Sequence, residues 1–343
     1  MSRRNILVTG GAGYIASHVV LELIEAGYSP VILDNFSNSN PLVIKRLEKL
    51  SGQSIPYVEG DCRDVQKVDD IFKAFSFYGV MHFAGLKAVG ESLREPLNYY
   101  DHNVAGCITT LRACQEHGVK NFIFSSSATV YAEYDGELIP EGADLSPINP
   151  YGQSKLICEQ ILQDFCKSDP KMRVAIMRYF NPVGAHPSGE IGEAPNQIPN
   201  NLMPFIDRVA SGKAERLTVF GDDYDTSDGT GVRDYIHVLD LAQGHVKALS
   251  FLESNKGANI FNLGTGRGTS VLELIDVYED VNGCEVPYAI GPRRAGDQGL
   301  VVADPTKAMA EMGFKCQYSL AQACKHSWTW QSLNPLGYSP NNK

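Results

Sequence analysis

The chain has 343 residues, 43% of them hydrophobic, which suits one large domain or two unequal ones with a substantial core. Its 30 basic and 40 acidic side chains give a formal net charge of −10 without a basic run, which argues against nucleic acid or an anionic membrane as partner. No apolar stretch reaches membrane-spanning length, the chain runs from Met1 straight into the strand-like Asn5-Ile6-Leu7-Val8, and the eight cysteines include no Cys-x2-Cys pair, so a cytoplasmic protein with reduced thiols is expected.

Ile6-Leu7-Val8 is a continuous apolar run of the kind buried on both faces of a parallel sheet. It leads into Thr9-Gly10-Gly11-Ala12-Gly13-Tyr14-Ile15-Ala16 and a helical pattern over Ser17 to Glu25. Gly10 and Gly13 let the turn bend and let a pyrophosphate approach the amides of a helix N-terminus. The second predicted strand, Val31-Ile32-Leu33, ends in Asp34, about twenty residues beyond that turn, where an acid bonds the hydroxyls of a ribose. A carboxylate there repels a 2′-phosphate, and no arginine follows closely, so NAD is expected rather than NADP. The third strand, Pro56-Tyr57-Val58, leads to Asp61, which either reaches an adenine edge or serves as a loop carboxylate capping a helix.

Val80-Met81-His82-Phe83 is the fourth strand, ending at Ala84-Gly85, and Leu97 to His117 reads as helix. Phe122-Ile123-Phe124 precedes Ser125-Ser126-Ser127. Asn149-Pro150 then reads as an N-cap with proline at the first helical position. Tyr151 and Lys155 fall one turn apart at the start of this helix, whose apolar stripe is Leu156, Ile157, Ile161, Leu162 and Phe165. An ammonium group on the same face lowers a phenol's pKa from about 10 and lets it accept a proton near neutral pH. Tyr151 is thus the candidate acid–base group and Lys155 its perturber, just downstream of the three serines.

The sixth strand, Val174 to Met177, runs toward Asn181. Residues 182–232 are rich in Pro, Gly and Asn, the chain from Asp234 to about Gly268 returns to the main sheet with Ile260-Phe261-Asn262-Leu263, and Asn334 to Lys343 looks like a frayed tail. The alternation predicts an α/β fold, a doubly wound (Rossmann) parallel sheet with a smaller α/β substrate-binding domain. The expected division is 1–181 plus about 234–268 for the NAD-binding part, and 182–233 plus about 269–339 for the other. Among the histidines no metal-ligand spacing is evident, so no metal is expected.

The glycine turn, Ser127 and Tyr151-x3-Lys155 resemble the extended short-chain dehydrogenase/reductase superfamily. More narrowly, His82 to Ser92, Ser125 to Tyr131, Arg178 to His186, Pro199 to Pro204, Gly229 to Val238 and Pro292 to Asp297 resemble the UDP-glucose 4-epimerases, in the same order from about residue 5 to 339. The resemblance implies that Tyr151 takes the proton of a sugar 4-hydroxyl while NAD takes the hydride of carbon 4. The keto sugar then turns over and receives the hydride on its other face. It implies cofactor contacts from Tyr14, Ile15, Asn35, Asn38, Ser39, Cys62, Phe83, Ala84, Lys87, Ser125 and Tyr179, with Asn103 behind them. It also implies UDP-sugar contacts from Phe180, Asn181, Asn200, Asn201, Leu202, Arg233, Arg294 and Asp297, and a homodimer paired through helices.

Val301 matches the residue that bounds the pocket beside carbon 2 in that family. Its small side chain implies room for an N-acetyl group, unless it only packs the domain. Sugar-nucleotide dehydratases of the superfamily carry an Asp-Glu pair after the catalytic Ser or Thr, whereas here Ala128-Thr129 follows Ser127. Ala16, Ala132, His102 and Gln153 depart from the epimerase pattern without removing a catalytic group. A 4-epimerase for another UDP-sugar and a non-catalytic NAD-sensing protein are the alternative readings.

Overall fold

The computed structural model describes residues 4–195, 201–294 and 296–339. Seven parallel strands form the main sheet, in the order Gly257–Leu263, Arg173–Tyr179, Asn121–Ser127, Phe77–His82, Asn5–Thr9, Ser29–Asp34 and Tyr57–Glu59. This is the doubly wound α/β sheet expected from the apolar runs, each of which lies in or overlaps one of the seven strands. Side chains alternate between faces along a strand. Ile6 and Val8 join one apolar layer and Leu7 the other; Met81 and Val80 divide in the same way. Helices Tyr14–Glu25, Leu42–Ser51 and Val238–Leu252 cover the first face, and Val65–Ala74, Gly106–Glu116 and Pro150–Ser168 the second. With both faces covered, neighbouring positions in the middle of a strand are apolar on both sides, and the run is continuous rather than alternating.

The order of strands reverses between Asn5–Thr9 and Phe77–His82, so a crevice opens at their carboxyl ends. The stretch predicted as one helix, Leu97 to His117, is instead interrupted. Helix Pro96–Tyr100 passes through a π turn at Asp101–Ala105 before Gly106–Glu116. The expected return to the main sheet at Asp234 also comes later in the chain. Strand Val232–His237 pairs with Asn181–Val183, Gly268–Ser270 and Leu300–Val301 in a separate small sheet, and only Gly257–Leu263 rejoins the large one. Asp234, fully buried, explains this placement. Its carboxylate accepts hydrogen bonds from the amides of Thr265, Gly266 and Ala303 and from the Thr265 hydroxyl, which binds the strand to the loops around it.

The tail expected to fray is ordered through residue 339. Asn334 is buried, and Tyr338 packs on Trp330 with ring centroids 4.7 Å apart.

Four buried histidines set a pH dependence of stability. Burial pushes His18 and His82 down to about 3, His237 to about 2 and His245 to about 4. Each folded value lies below the unfolded one, so the unfolded chain binds more protons once pH falls below about 6.5, and stability drops with it. At about pH 5 each histidine costs about 2 kcal/mol. Burial raises Asp207 to about 6 and Glu22 to about 7 and lifts Asp234 and Asp240 above the usual range, which favours the fold on acidification, but His186 and His326 are lowered as well and the histidines outweigh the carboxyls. Denaturant midpoints measured between about pH 7.5 and pH 5 are expected to fall steadily; a flat or rising series would contradict this balance.

Candidate active site

The turn after strand Asn5–Thr9 begins with Gly10 at φ +67°, a left-handed backbone that favours glycine. A Cβ there would lie 2.8 Å from the amide nitrogen of Ala84, so two loops meet without side chains between them. Gly13 caps helix Tyr14–Glu25, whose first amides therefore face the crevice. Asp34 is buried at the end of the neighbouring strand. Its Oδ2 accepts from the amide of Ala12 at 2.9 Å, and its Oδ1 from the amide of Phe36 at 2.9 Å and the hydroxyl of Ser39 at 2.8 Å. A carboxylate offers about four acceptor directions, so one remains toward the cavity. Phe36 itself sits at φ +54°, strained for a bulky residue and held by that carboxylate.

Of the residues predicted to hold the cofactor, all but Asn103 line one continuous cavity. Asp61 is among them, but Arg63 and Asn35 donate to both of its oxygens, and these hydrogen bonds hold its carboxyl well below the usual range. Lys87 lies on the wall, paired with Glu193 at 2.6 Å. Asn103 is buried in the π turn, where the widened backbone lets its amide serve three partners. Its Oδ1 accepts from the Leu86 amide at 2.7 Å, and its Nδ2 donates to the Leu86 carbonyl at 3.1 Å and the Ser154 hydroxyl at 2.8 Å. It thereby ties the loop carrying Lys87 to the helix carrying Tyr151. Tyr179 donates to Nε2 of His245, since the other ring nitrogen of that histidine donates to the Leu241 carbonyl.

Helix Pro150–Ser168 starts as the sequence predicts. Asn149 Oδ1 accepts from the amide of Gly152 at 2.8 Å and Pro150 occupies the first turn. Tyr151 stays half-buried on the cavity wall, while Lys155 is 5% exposed and donates to the Ser125 carbonyl at 2.7 Å. The Lys155 ammonium is 6.0 Å from the centre of the Tyr151 ring. Burial raises the Tyr151 pKa and a hydrogen bond from Ser127 lowers it; burial also depresses Lys155. Ser127 Oγ accepts from the amide and hydroxyl of Thr129 at 3.2 and 2.9 Å, which leaves its own proton for Tyr151. Within the protein alone, then, Ser127 is the group that eases ionisation of Tyr151, and Lys155 adds a positive charge farther off.

Beneath these groups lies an ion pair with 1% and 0% side-chain exposure, Arg178 to Glu159 at 2.6 Å, to which Ser126 also donates. The sequence pattern gave no reason to single out Glu159, Glu193 or Tyr338. Glu193 and Tyr338 lie on the cavity wall. Their signals, an acid in a glycine- and proline-rich loop and a tyrosine in a polar tail, are too common to stand out.

Of the predicted substrate residues, Asn181, Arg233 and Val301 lie in the small sheet. Val301 pairs in register with Arg233 and packs on the cluster of Phe180, Tyr131, Leu156 and Ala303. Arg233 is 4.0 Å from Asp297, and Asn181 opens the strand beside Val232–His237. Leu202 starts helix Leu202–Ala210 behind its N-cap, Asn201, whose amide reaches Glu193 at 3.5 Å. Arg294 is stacked 3.9 Å over the Phe220 ring. Asn200 lies outside the described residues. Asp69, Glu116 and His117 have ligand atoms close enough to hold a cation, but Asp69 already pairs with Lys73 and His117.

The glycine turn, Asp34 at the end of the neighbouring strand and the grouped Ser127, Tyr151 and Lys155 fit a nicotinamide dinucleotide and a redox enzyme of the doubly wound class. The chain belongs to the NAD dependent epimerase/dehydratase family, which it matches over residues 6–264. It is 54% identical over 335 residues to the UDP-glucose 4-epimerase of Dictyostelium discoideum, covering 97% of each chain. Among solved structures it is similar to the UDP-glucose-4-epimerase of Stenotrophomonas maltophila with bound NAD and formylated UDP-arabinopyranose, with a TM-score of 0.95, 46% identity and coverage of 96% of this chain and 98% of that one. It is equally similar to the Bifidobacterium longum enzyme in complex with NAD+ and UDP, with a TM-score of 0.94, 46% identity and coverage of 97% and 100%.

Proposed function

We propose that this protein interconverts UDP-glucose and UDP-galactose through a 4-keto sugar, using an NAD that stays bound. The observation that carries the reading is that Ser127, Tyr151 and Lys155 come together beside a cavity that fits a dinucleotide and that Tyr151 and Lys155 line, with Ala128-Thr129 where a dehydratase carries its acid pair. When bound, NAD accepts a hydride at carbon 4 and returns it. Tyr151 removes the proton of the 4-hydroxyl and gives it back, Ser127 holds the reacting oxygen, and Lys155 stabilises the phenolate and the ribose beside it. Arg233 and Arg294 hold the diphosphate, Asp34 the adenosine ribose, and residues 182–233 and 269–339 the UDP-sugar. A firm hold on the nucleotide and a loose one on the hexose permits the keto sugar to turn.

Purified protein is expected to convert UDP-galactose without added NAD and to release about one NAD per chain when denatured. Release of NADP would refute the role of Asp34, and no turnover of any UDP-hexose would refute the function. The reading includes a cytoplasmic homodimer, supported by Leu93 and Leu97, which are 63% and 81% exposed on neighbouring helices. Among the described residues no helix is long and apolar enough to cross a membrane.

The reading extends to UDP-N-acetylglucosamine, because the valine at 301 is much smaller than the tyrosine that, in the family the sequence resembles, leaves room only for a hydroxyl beside carbon 2. Val301→Tyr is expected to lower turnover of the N-acetyl sugar at least about 30-fold while UDP-glucose changes a few-fold, a steric discrimination of about 2 kcal/mol. Undiminished turnover of the N-acetyl sugar by the variant, or none by the parent, would overturn the role of Val301.

A further inference from the structure

Gly192–Pro195 and Tyr338 line the dinucleotide cavity together with the glycine turn, although they come from a distant loop and from the end of the described chain. They are tied to one another and to both halves of the molecule. Gly192 donates its amide to the Tyr338 hydroxyl and accepts from it through its carbonyl, each at 3.0 Å. The Trp330 indole donates to the Glu193 carbonyl at 3.0 Å, and the ring lies so close that a Cβ on Gly192 would be 2.4 Å from its Cγ. Asn40, just before helix Leu42–Ser51, donates to the Tyr338 carbonyl at 3.0 Å. The Glu193 carboxylate, 11% exposed, takes the Lys87 ammonium at 2.6 Å.

We propose that Glu193 and Tyr338 form a clasp that retains NAD, with Lys87 as its catch. The inference rests on the cavity holding NAD, as the proposed function requires. A cofactor that leaves each turnover in its starting redox state needs no path for exchange, so a wall that stays shut costs the reaction nothing. For the dinucleotide to leave, segment 192–195 must part from Tyr338, Trp330 and Lys87. Two of those ties are neutral hydrogen bonds to one tyrosine, and one is a charge pair whose carboxylate is largely buried while its ammonium is half exposed, and loss of such short-range ties speeds dissociation more than it slows association.

The test measures how fast holoprotein loses NAD to a coupled dehydrogenase that reduces any NAD set free. Glu193→Gln and Tyr338→Ala are expected to release it at least about tenfold faster than the parent, equivalent to about 1.4 kcal/mol. Tyr338→Phe, which keeps the ring and loses both hydrogen bonds to Gly192, should fall between. Leu274→Ala, buried in the other half, serves as the control for general loosening. Release at the parent's rate from both Glu193→Gln and Tyr338→Ala would overturn the clasp. So would equal acceleration in a control whose melting temperature falls as far. A parent that holds no NAD to release would instead sink the cofactor reading, and the clasp with it.

Discussion

Tyr151→Phe is expected to lower turnover of UDP-galactose on the order of 10³-fold, while the protein still folds and carries its NAD. Removing one general acid–base group costs roughly 10²–10⁴ in rate, and no neighbour can substitute. Ser127 is within hydrogen-bonding range of Tyr151, but an unassisted hydroxyl is too weak a base, and Lys155 is committed to the Ser125 carbonyl. The ring of phenylalanine fills the same space, so a fall in rate reports the hydroxyl rather than the packing. Because burial raises the tyrosine pKa and Ser127 lowers it, Ser127→Ala should shift the acidic, ascending limb of the parent's pH–rate profile upward as well as slow it. The assignment fails if Tyr151→Phe keeps more than about a tenth of the parent rate.

Glu159→Leu is the second large effect, and it falls on stability. Glu159 receives Arg178 through two nitrogens, Nε at 3.0 Å and Nη2 at 2.6 Å, and removing it strands a guanidinium with almost no solvent contact. Breaking one side of such a pair costs about 3–5 kcal/mol. In a chain of this size that corresponds to a melting temperature lower by roughly 5 °C. Glu159→Leu combined with Arg178→Met removes both charges and should recover most of the loss, because apolar pairs replace buried ion pairs at little cost. Thermal melts of the NAD-loaded proteins decide the matter. A single variant that melts within about 2 °C of the parent would show that Arg178 finds another partner, with the Glu141 carbonyl, already at 3.1 Å, the nearest candidate.

Much of this molecule is legible in the residues because a doubly covered parallel sheet leaves an unusually plain trace. Apolar runs marked all seven strands, and the polar or small residues that stop them marked the end of the sheet where the site lies. The Asn149–Pro150 cap and the Tyr151–Lys155 spacing were equally local, and the motifs they belong to pointed to the family that the whole-chain comparisons return. What could not be read depends on contacts between distant segments. Strand Val232–His237 looks like any buried strand, and only the loops gathered by Asp234 decide which sheet it joins. The π turn leaves no hydrophobic signature, since it shifts the phase of an apolar stripe within one helix. Tyr338 stands in a stretch of proline, glycine and asparagine that gives no hint of order, and its partners lie about 150 positions earlier at Gly192 and about 300 earlier at Asn40. The electrostatics of Tyr151 were likewise only half visible: spacing named Lys155, whereas the group that bonds the hydroxyl comes from a neighbouring strand end.

The π turn at Asp101–Ala105 also makes length a property under constraint. Such a turn holds one residue more than the α-helical turn it replaces. Deleting a single residue there would let the helix close into regular α turns with both flanks still in phase, and the bulge that presents Asn103 would be lost. Asn103 would then point away from Leu86 and Ser154, and the cavity loop would lose its tie to the helix of Tyr151. The exposed Asp101 tolerates exchange for another polar residue on these grounds, whereas a shortened segment does not. Over evolutionary time this stretch should therefore accumulate substitutions but neither gaps nor insertions, a record written in chain length rather than in residue identity.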